Sequence, residues 1–335
     1  MHKGANAGGC LMLSVHVPRG TTLDRIQIEP GGEIPDRAVW FDLYSPTQGE
    51  DKLVERTLGI AVPTREEMQE IEVTSRLYVE NGARYMTATL MCHSDTDVPR
   101  TTAVTFILSG HRLTTVRYEE PKPFTIVGAR LARQCPSTPT GETVMMDLLD
   151  AIIDRAADIL ERIGSEVDTA SHDILEPEGG ADRTRSFKEI LKTIGRKGDQ
   201  TSKVRESLVS IGRLLVYLAN EADTMKWAKD QRATLKGMQR DAHALSEHAT
   251  YLSGKINFLL DAMLGVVSLE QNNIIKIFSV AAVVFMPPTL VASIYGMNFK
   301  HMPELDYDFG YPFALVLMLL AAIVPYVFFK WMKWL

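Results

Sequence analysis

Oxygen-bearing side chains recur along one line of the sequence after residue 260. Steps of four and three residues from Asp261 pass through Gly265, Ser268, Asn272, Ile275, Ser279, Ala282, Met286, Thr289 and Ser293, and Asn298 follows shortly after. In a helix, a repeat of about 3.5 residues keeps one stripe turned toward a shared axis. Nearly all of these residues are small or polar, whereas Leu264, Val267, Ile274, Ile277, Val280 and Val284 occupy the other faces. Several copies around an axis would stack rings of carboxylate, carboxamide and hydroxyl oxygens. Such rings suit Mg²⁺, a hard cation that gives up its water reluctantly and is best held through its hydration shell. Small residues at this spacing also let helices approach closely. A wet axis is favoured because Asp261, Asn272, Thr289 and Asn298 bracket the stripe from end to end.

The elements that must position this stripe are long helices. Ile277 to Tyr295 carries no charge, enough at about 1.5 Å per residue to cross a hydrocarbon core of about 30 Å. Tyr311 to Phe329 is equally long and uncharged, so the chain predicts a hairpin of two spans. No proline lies between Pro177 and Pro287, which predicts helices over about 142–175 and 183–220. A third, beginning near Met225, runs into the first span without a turn signal. At about 70 residues it would be about 100 Å long and must pack on its neighbours and on copies of itself. Asp147, Asp150, Asp154, Asp158 and Glu161 on the first helix read as a solvated acidic face. Pro287-Pro288 must loosen the first span and free the carbonyls of Val283 and Val284.

Residues 11–17, 38–43, 76–80, 84–92, 101–108 and 111–118 read as strands, with Asn81-Gly82 and Ser109-Gly110 as turns. Gln48–Leu58 and residues 64–72 read as helices, the latter opened by Pro63-Thr64. This predicts an α/β domain over 1–140 and a helical stalk region over 141–272. A first transmembrane helix follows over 273–295, an outer loop over 296–310, a second transmembrane helix over 311–331 and a tail over 332–335. The fold class is therefore an α+β membrane protein with two C-terminal transmembrane helices.

Tyr295-Gly296-Met297-Asn298-Phe299, then Met302-Pro303-Glu304-Leu305, then a span opening Gly310-Tyr311-Pro312 and a Lys333-Trp334-Leu335 ending, resembles the CorA family of divalent-cation transporters. The resemblance implies a funnel-shaped homopentamer whose stalk helix continues into a pore-lining first span. It implies a selectivity filter at Gly296, Met297 and Asn298, with Gly296 permitting a backbone bend at the pore mouth. It also implies a hydrophobic gate at Ile275, Phe278 and Met286, and transported and regulatory Mg²⁺, with Co²⁺ or Ni²⁺ as mimics. Family members sense cytoplasmic Mg²⁺ through acids between protomers. Glu70 aligns with one of them, but Gly237 stands where its partner is expected and Asp241 lies one turn on.

Composition narrows the alternatives. A net charge of −6 and the lack of a basic cluster argue against a nucleic-acid partner. No GxGxxG, P-loop or GxSxG elbow supports nucleotide binding or hydrolysis, and no acid, base and nucleophile constellation supports an enzyme. None is needed for influx, since a divalent ion moving through 100 mV gains about 4.6 kcal/mol. Cys10, Cys92 and Cys135 form no CxxC pair and read as structural thiols in a reducing compartment. His243 and His248 are five apart, off one helical face, and read as surface or packing residues. No secretory signal is evident at the start of the sequence. Lys276 before the first span and Lys330 and Lys333 after the second, with Lys300 against Glu304, Asp306 and Asp308 in the loop between, predict that both termini are cytoplasmic, in an inner or plasma membrane. Two rivals stay open: a zinc or other divalent-metal transporter on the same scaffold, with or without proton coupling, and a membrane-anchored oligomeric scaffold or sensor.

Overall fold

The structure is a computed structural model and describes residues 13–29, 31–96, 98–135, 139–175, 183–298 and 308–332. Cys10, the turn at 176–182, the loop acids Glu304 and Asp306 and the Lys333-Trp334-Leu335 ending lie outside them. The chain divides into two compact units, one ending at Phe258 and one beginning at Leu259.

The first unit is built on a seven-stranded sheet in the order β2-β1-β3-β7-β6-β5-β4. Its strands are β1 (Leu13–Arg19), β2 (Thr22–Gln27), β3 (Trp40–Tyr44), β4 (Leu77–Glu80), β5 (Ala83–Cys92), β6 (Arg100–Ser109) and β7 (Arg112–Arg117). All neighbours are antiparallel except β3 and β7, which run parallel. Alternation along the strands sorts side chains into two cores. Trp40, Met86, Ala88, Leu90, Val104, Phe106 and Leu108 enter one; Phe41, Leu43, Tyr85, Ile107 and Val116 enter the other.

The second of these cores is covered by α1 (Gln48–Leu58) and α2 (Arg65–Met68) through Val54 and Met68. Buried Glu50 closes the capping box of α1 and accepts a hydrogen bond from the Leu13 amide at 3.1 Å, tying the helix to β1. The first core is covered by α4 (Lys122–Arg133), α5 (Gly141–Leu175), α6 (Arg183–Thr224) and the opening of α7 (Lys229–Tyr295). The sheet is thus the middle of three layers.

One expectation needs correction, and two elements stand where the sequence reading placed none. Residues 64–72 form only the short α2, followed by α3 (Val73–Arg76). Met68 is the sole buried anchor of α2, and the Glu70 carbonyl is taken by the Arg76 guanidinium, so nothing extends the helix. Strand β2 is polar, with Leu23 alone fully buried, and its alternation is too weak to read. Helix α4 opens at two prolines. Pro121 is its N-cap and Pro123 lies in its first turn, where amide hydrogens have no intrahelical partner to lose.

The parallel pair is fastened by a buried network. Arg117 donates twice to Asp42, at 3.0 and 2.8 Å, and lies over the rings of Tyr44 and Phe124. Thr115 donates to Asp42 at 2.8 Å and accepts from the Trp40 indole at 3.0 Å. His16 stacks on Trp40, with ring centroids 4.1 Å apart. Its Nδ1 is buried and has no hydrogen-bond partner among the described residues.

The second unit holds the rest of α7 and α8 (Gly310–Trp331), and each helix is long and apolar enough to cross a membrane. Helix α7 continues unbroken through Pro287 and Pro288.

Two predictions test this architecture. A Cβ on Gly141, which opens α5, would sit 2.5 Å from the Leu113 amide nitrogen and 2.8 Å from the His111 carbonyl. Gly141→Ala should therefore cost about 1–3 kcal/mol as overpacking, read as a lower midpoint of thermal unfolding in detergent. Burial holds the His16 imidazole down from 6.5 to about 4, against the pull of Asp42. Between those pH values the unfolded chain takes a proton that the folded chain refuses, so His16 costs stability as pH falls from 6.5 toward 4. Burial raises Asp51 from 3.8 to about 6, which contributes the opposite slope. The His16 effect is read as the difference between wild type and His16→Gln, which should grow by up to about 3 kcal/mol across the window.

Candidate ion-conduction helix

Helix α7 begins as a core element. Leu235, Met238, Ala242, Ala249, Leu252, Ile256, Leu259 and Met263 recur at helical spacing and are buried. Beyond Met263 this changes abruptly. Leu264, Ile275, Ile277, Phe278, Phe285 and Met286 are each more than 60 % exposed, and Val280 is the last buried residue of the helix.

The unbroken α7 fixes how the residues of the stripe face. At about 100° per residue, Asp261, Asn272, Ile275, Phe278, Met286, Thr289 and Ser293 fall within about one third of the helix circumference. All of them are exposed, so nothing in the described fold of one chain covers that strip. The polar members stand at its two ends and the large apolar members between them. The Thr289 hydroxyl donates to the Phe285 carbonyl at 2.7 Å, so its hydrogen is engaged and its lone pairs remain free to accept.

The helix closes at Tyr295, and Gly296, Met297 and Asn298 follow it. The Gly296 amide still donates to Ala292 at 3.0 Å, and Met297 donates to Ile294 at 3.3 Å. Gly296 is not among the glycines with positive φ, so no left-handed bend occurs there. Glycine is favoured for another reason: a Cβ at 296 would approach the Ala292 carbonyl oxygen to 3.2 Å. Met297 and Asn298 are exposed beyond the last helical turn.

Glu70 and Asp241 lie in the first unit. Glu70 is exposed in the turn between α2 and α3, and Asp241 is exposed on α7. Neither joins a set of three metal-ligating side chains within the chain among the described residues. On α5, Asp147 is paired with Arg130 at 3.3 Å and burial raises it above the usual carboxylate range; partial desolvation and the charge of Asp154 raise Asp150, and Asp154, Asp158 and Glu161 are exposed. His243 lies 3.7 Å from Glu247, and His248 stacks on Tyr251, as expected of surface histidines. Cys92 and Cys135 are free and buried.

The family model described as "CorA-like Mg2+ transporter protein" matches residues 35–331. The chain belongs to the CorA family. Proteins named "Magnesium transport protein CorA" are similar along nearly the whole length. Those of Pasteurella multocida (strain Pm70) and Escherichia coli (strain K12) are 34% and 35% identical, each over 97% of this chain and 100% of the relative. Among solved structures, CorA from Methanocaldococcus jannaschii matches at a TM-score of 0.77, with 17% identity, over 97% of this chain and 99% of that one. Full-length CmaX matches at a TM-score of 0.69, with 13% identity, over 98% and 100%. These likenesses establish the CorA fold: an α/β unit, a long helix and two apolar C-terminal helices.

Proposed function

We propose that the chain conducts Mg²⁺ down its electrochemical gradient through a pore lined by α7 in a homopentamer. The observation that carries this reading is the strip of Asp261, Asn272, Thr289 and Ser293 on one unbroken helix that ends at Gly296-Met297-Asn298. Relatives similar over the full length are named as magnesium transport proteins, which supports the ion.

In this reading Gly296, Met297 and Asn298 ring the outer mouth, and the Asn298 carboxamide accepts hydrogen bonds from the waters of the ion. Asn272, Thr289 and Ser293 supply further acceptors, and Asp261 draws cations to the inner end. Ile275, Phe278 and Met286 form the dry constriction, where apolar walls expel water and so stop a hydrated ion. Co²⁺ and Ni²⁺, hydrated to a similar size, pass the same path. Both termini lie in the cytoplasm, and the funnel stands in the inner or plasma membrane. Mg²⁺ held by Glu70 and Asp241 of neighbouring protomers would relieve carboxylate repulsion and favour the closed arrangement.

Proteoliposomes loaded with a Mg²⁺ indicator and given an inside-negative potential test the pore. Wild type should fill, and Asn298→Ala should slow Mg²⁺ entry by about tenfold or more, the loss of a charge-assisted hydrogen bond to the hydrated ion. Zn²⁺ entry that needs a pH gradient, without Mg²⁺ entry, would assign the chain to zinc transport; folded protein that passes no ion would make it a scaffold. The assembly is tested separately. Native mass spectrometry in mild detergent should give five times the 37.4 kDa chain mass, and a monomer or dimer would defeat the pore.

A further inference from the structure

We infer that Cys92, His93 and Glu119 form a binding site for a borderline-soft transition metal of the Zn²⁺ class, in the α/β unit and separate from the ion path. The Cys92 Sγ, one ring nitrogen of His93 and one carboxylate oxygen of Glu119 all lie within 4.8 Å of one another. Among the described residues this is the one such group of three His, Cys, Asp or Glu side chains.

The fold brings them together from distant sequence. Cys92 is the last residue of β5, and Glu119 lies two residues beyond the end of β7, across the intervening β6. His93 follows Cys92 with a φ of 54°, a left-handed conformation uncommon outside glycine, and so leaves the line of the strand. Its Nε2 meets a Glu119 carboxylate oxygen at 3.1 Å. Cys92 is 2% exposed, while the His93 and Glu119 side chains are 46% and 31% exposed. One donor therefore comes from the protein interior and two from the surface, with an approach from solvent between them.

The donor set selects the ion. Sulfur, nitrogen and carboxylate oxygen suit Zn²⁺, Co²⁺ or Cd²⁺ in a tetrahedron, with water in the fourth place. Mg²⁺ prefers oxygen alone and gains little from a thiolate. Without a metal, burial and the charge of Glu119 hold the Cys92 thiol up, and it donates to the Arg100 carbonyl at 3.4 Å. Binding exchanges the S–H bond for an S–metal bond and releases that proton to solvent, with no change in oxidation state.

The next residues give the site leverage. The Ser94 carbonyl accepts from Arg162 at 2.8 Å, and Asp95 takes Arg155 at 2.7 Å, Arg162 at 2.9 Å and Lys122. These cations hold Asp95 well below the usual carboxylate range, with Lys122 contributing most. A metal on Cys92 and His93 would therefore anchor the loop that clamps α4 and α5 to the sheet.

The test is a Co²⁺ titration of the full chain in detergent, with Cys10→Ser and Cys135→Ser so that Cys92 is the only thiol, under excess Mg²⁺ to occupy any oxygen sites. The expected result is a thiolate-to-Co²⁺ charge-transfer band with tetrahedral d–d bands, saturating at one equivalent per chain and bleached by Zn²⁺ but not by more Mg²⁺. Cys92→Ser should abolish the band. His93→Gln and Glu119→Gln, both surface changes that leave the fold in place, should each weaken Co²⁺ binding at least tenfold. No band, a band that survives Cys92→Ser, or an affinity unmoved by both surface changes would overturn the assignment.

Discussion

Everything in the second unit answers to one constraint: its two helices carry far more apolar surface than the chain itself can cover. The most apolar stretches of α7 and α8 are only 6% buried. Removing each exposed Leu, Ile or Phe from water is worth about 1.5–3 kcal/mol, so tens of kcal/mol wait on a cover that the described residues of the chain do not supply. A helix is the form that can enter hydrocarbon, because it satisfies its own backbone groups. Pro287 and Pro288 suspend that rule for the carbonyls of Val283 and Val284, and such carbonyls are tolerable only where protein or water receives them. The same stretch holds Thr289, on the strip proposed to face a wet axis, with its hydroxyl hydrogen engaged and its oxygen open.

The α/β unit is governed instead by a polar knot inside an apolar frame. Asp42 and Arg117 are both almost fully buried, and each is satisfied by the other, by Thr115 or by aromatic faces. A pair of this kind contributes little net stability but makes any wrong pairing of β3 and β7 expensive, because either charge alone would be buried without a partner. That suits a sheet whose single parallel contact lies at its centre. The helices it supports, α5 to α7, extend the same core, and α7 carries the structure on toward the apolar segment.

What could be read from the sequence followed the strength of each periodic signal. Helix α1, the strands with alternating apolar residues and the two apolar helices stand where their patterns put them, since each has one dominant face or a complete apolar run. Strand β2 has one buried residue and α4 opens among prolines, so neither announces itself. The nine-residue helix expected over 64–72 fails because acids fill it and Ile71, its second apolar residue, is 88% exposed. On α7 the strip could be drawn from spacing alone, and the family motif could be read directly. The grouping of Cys92, His93 and Glu119 could not: it depends on two strand ends meeting across a third, and on one left-handed residue at position 93.

The distance along the chain between Asp42 and Arg117 has a consequence for biosynthesis. These partners are 75 residues apart, so the middle of the sheet stays open until β7 has left the ribosome. Strands this remote pay the full entropy of loop closure before any contact rewards them. Yet the apolar part of α7 is translated more than a hundred residues later, after the whole sheet and its covering helices have become available. A ribosome making this chain therefore presents every strand of the sheet before the most apolar segments, and the first unit can close before those segments emerge.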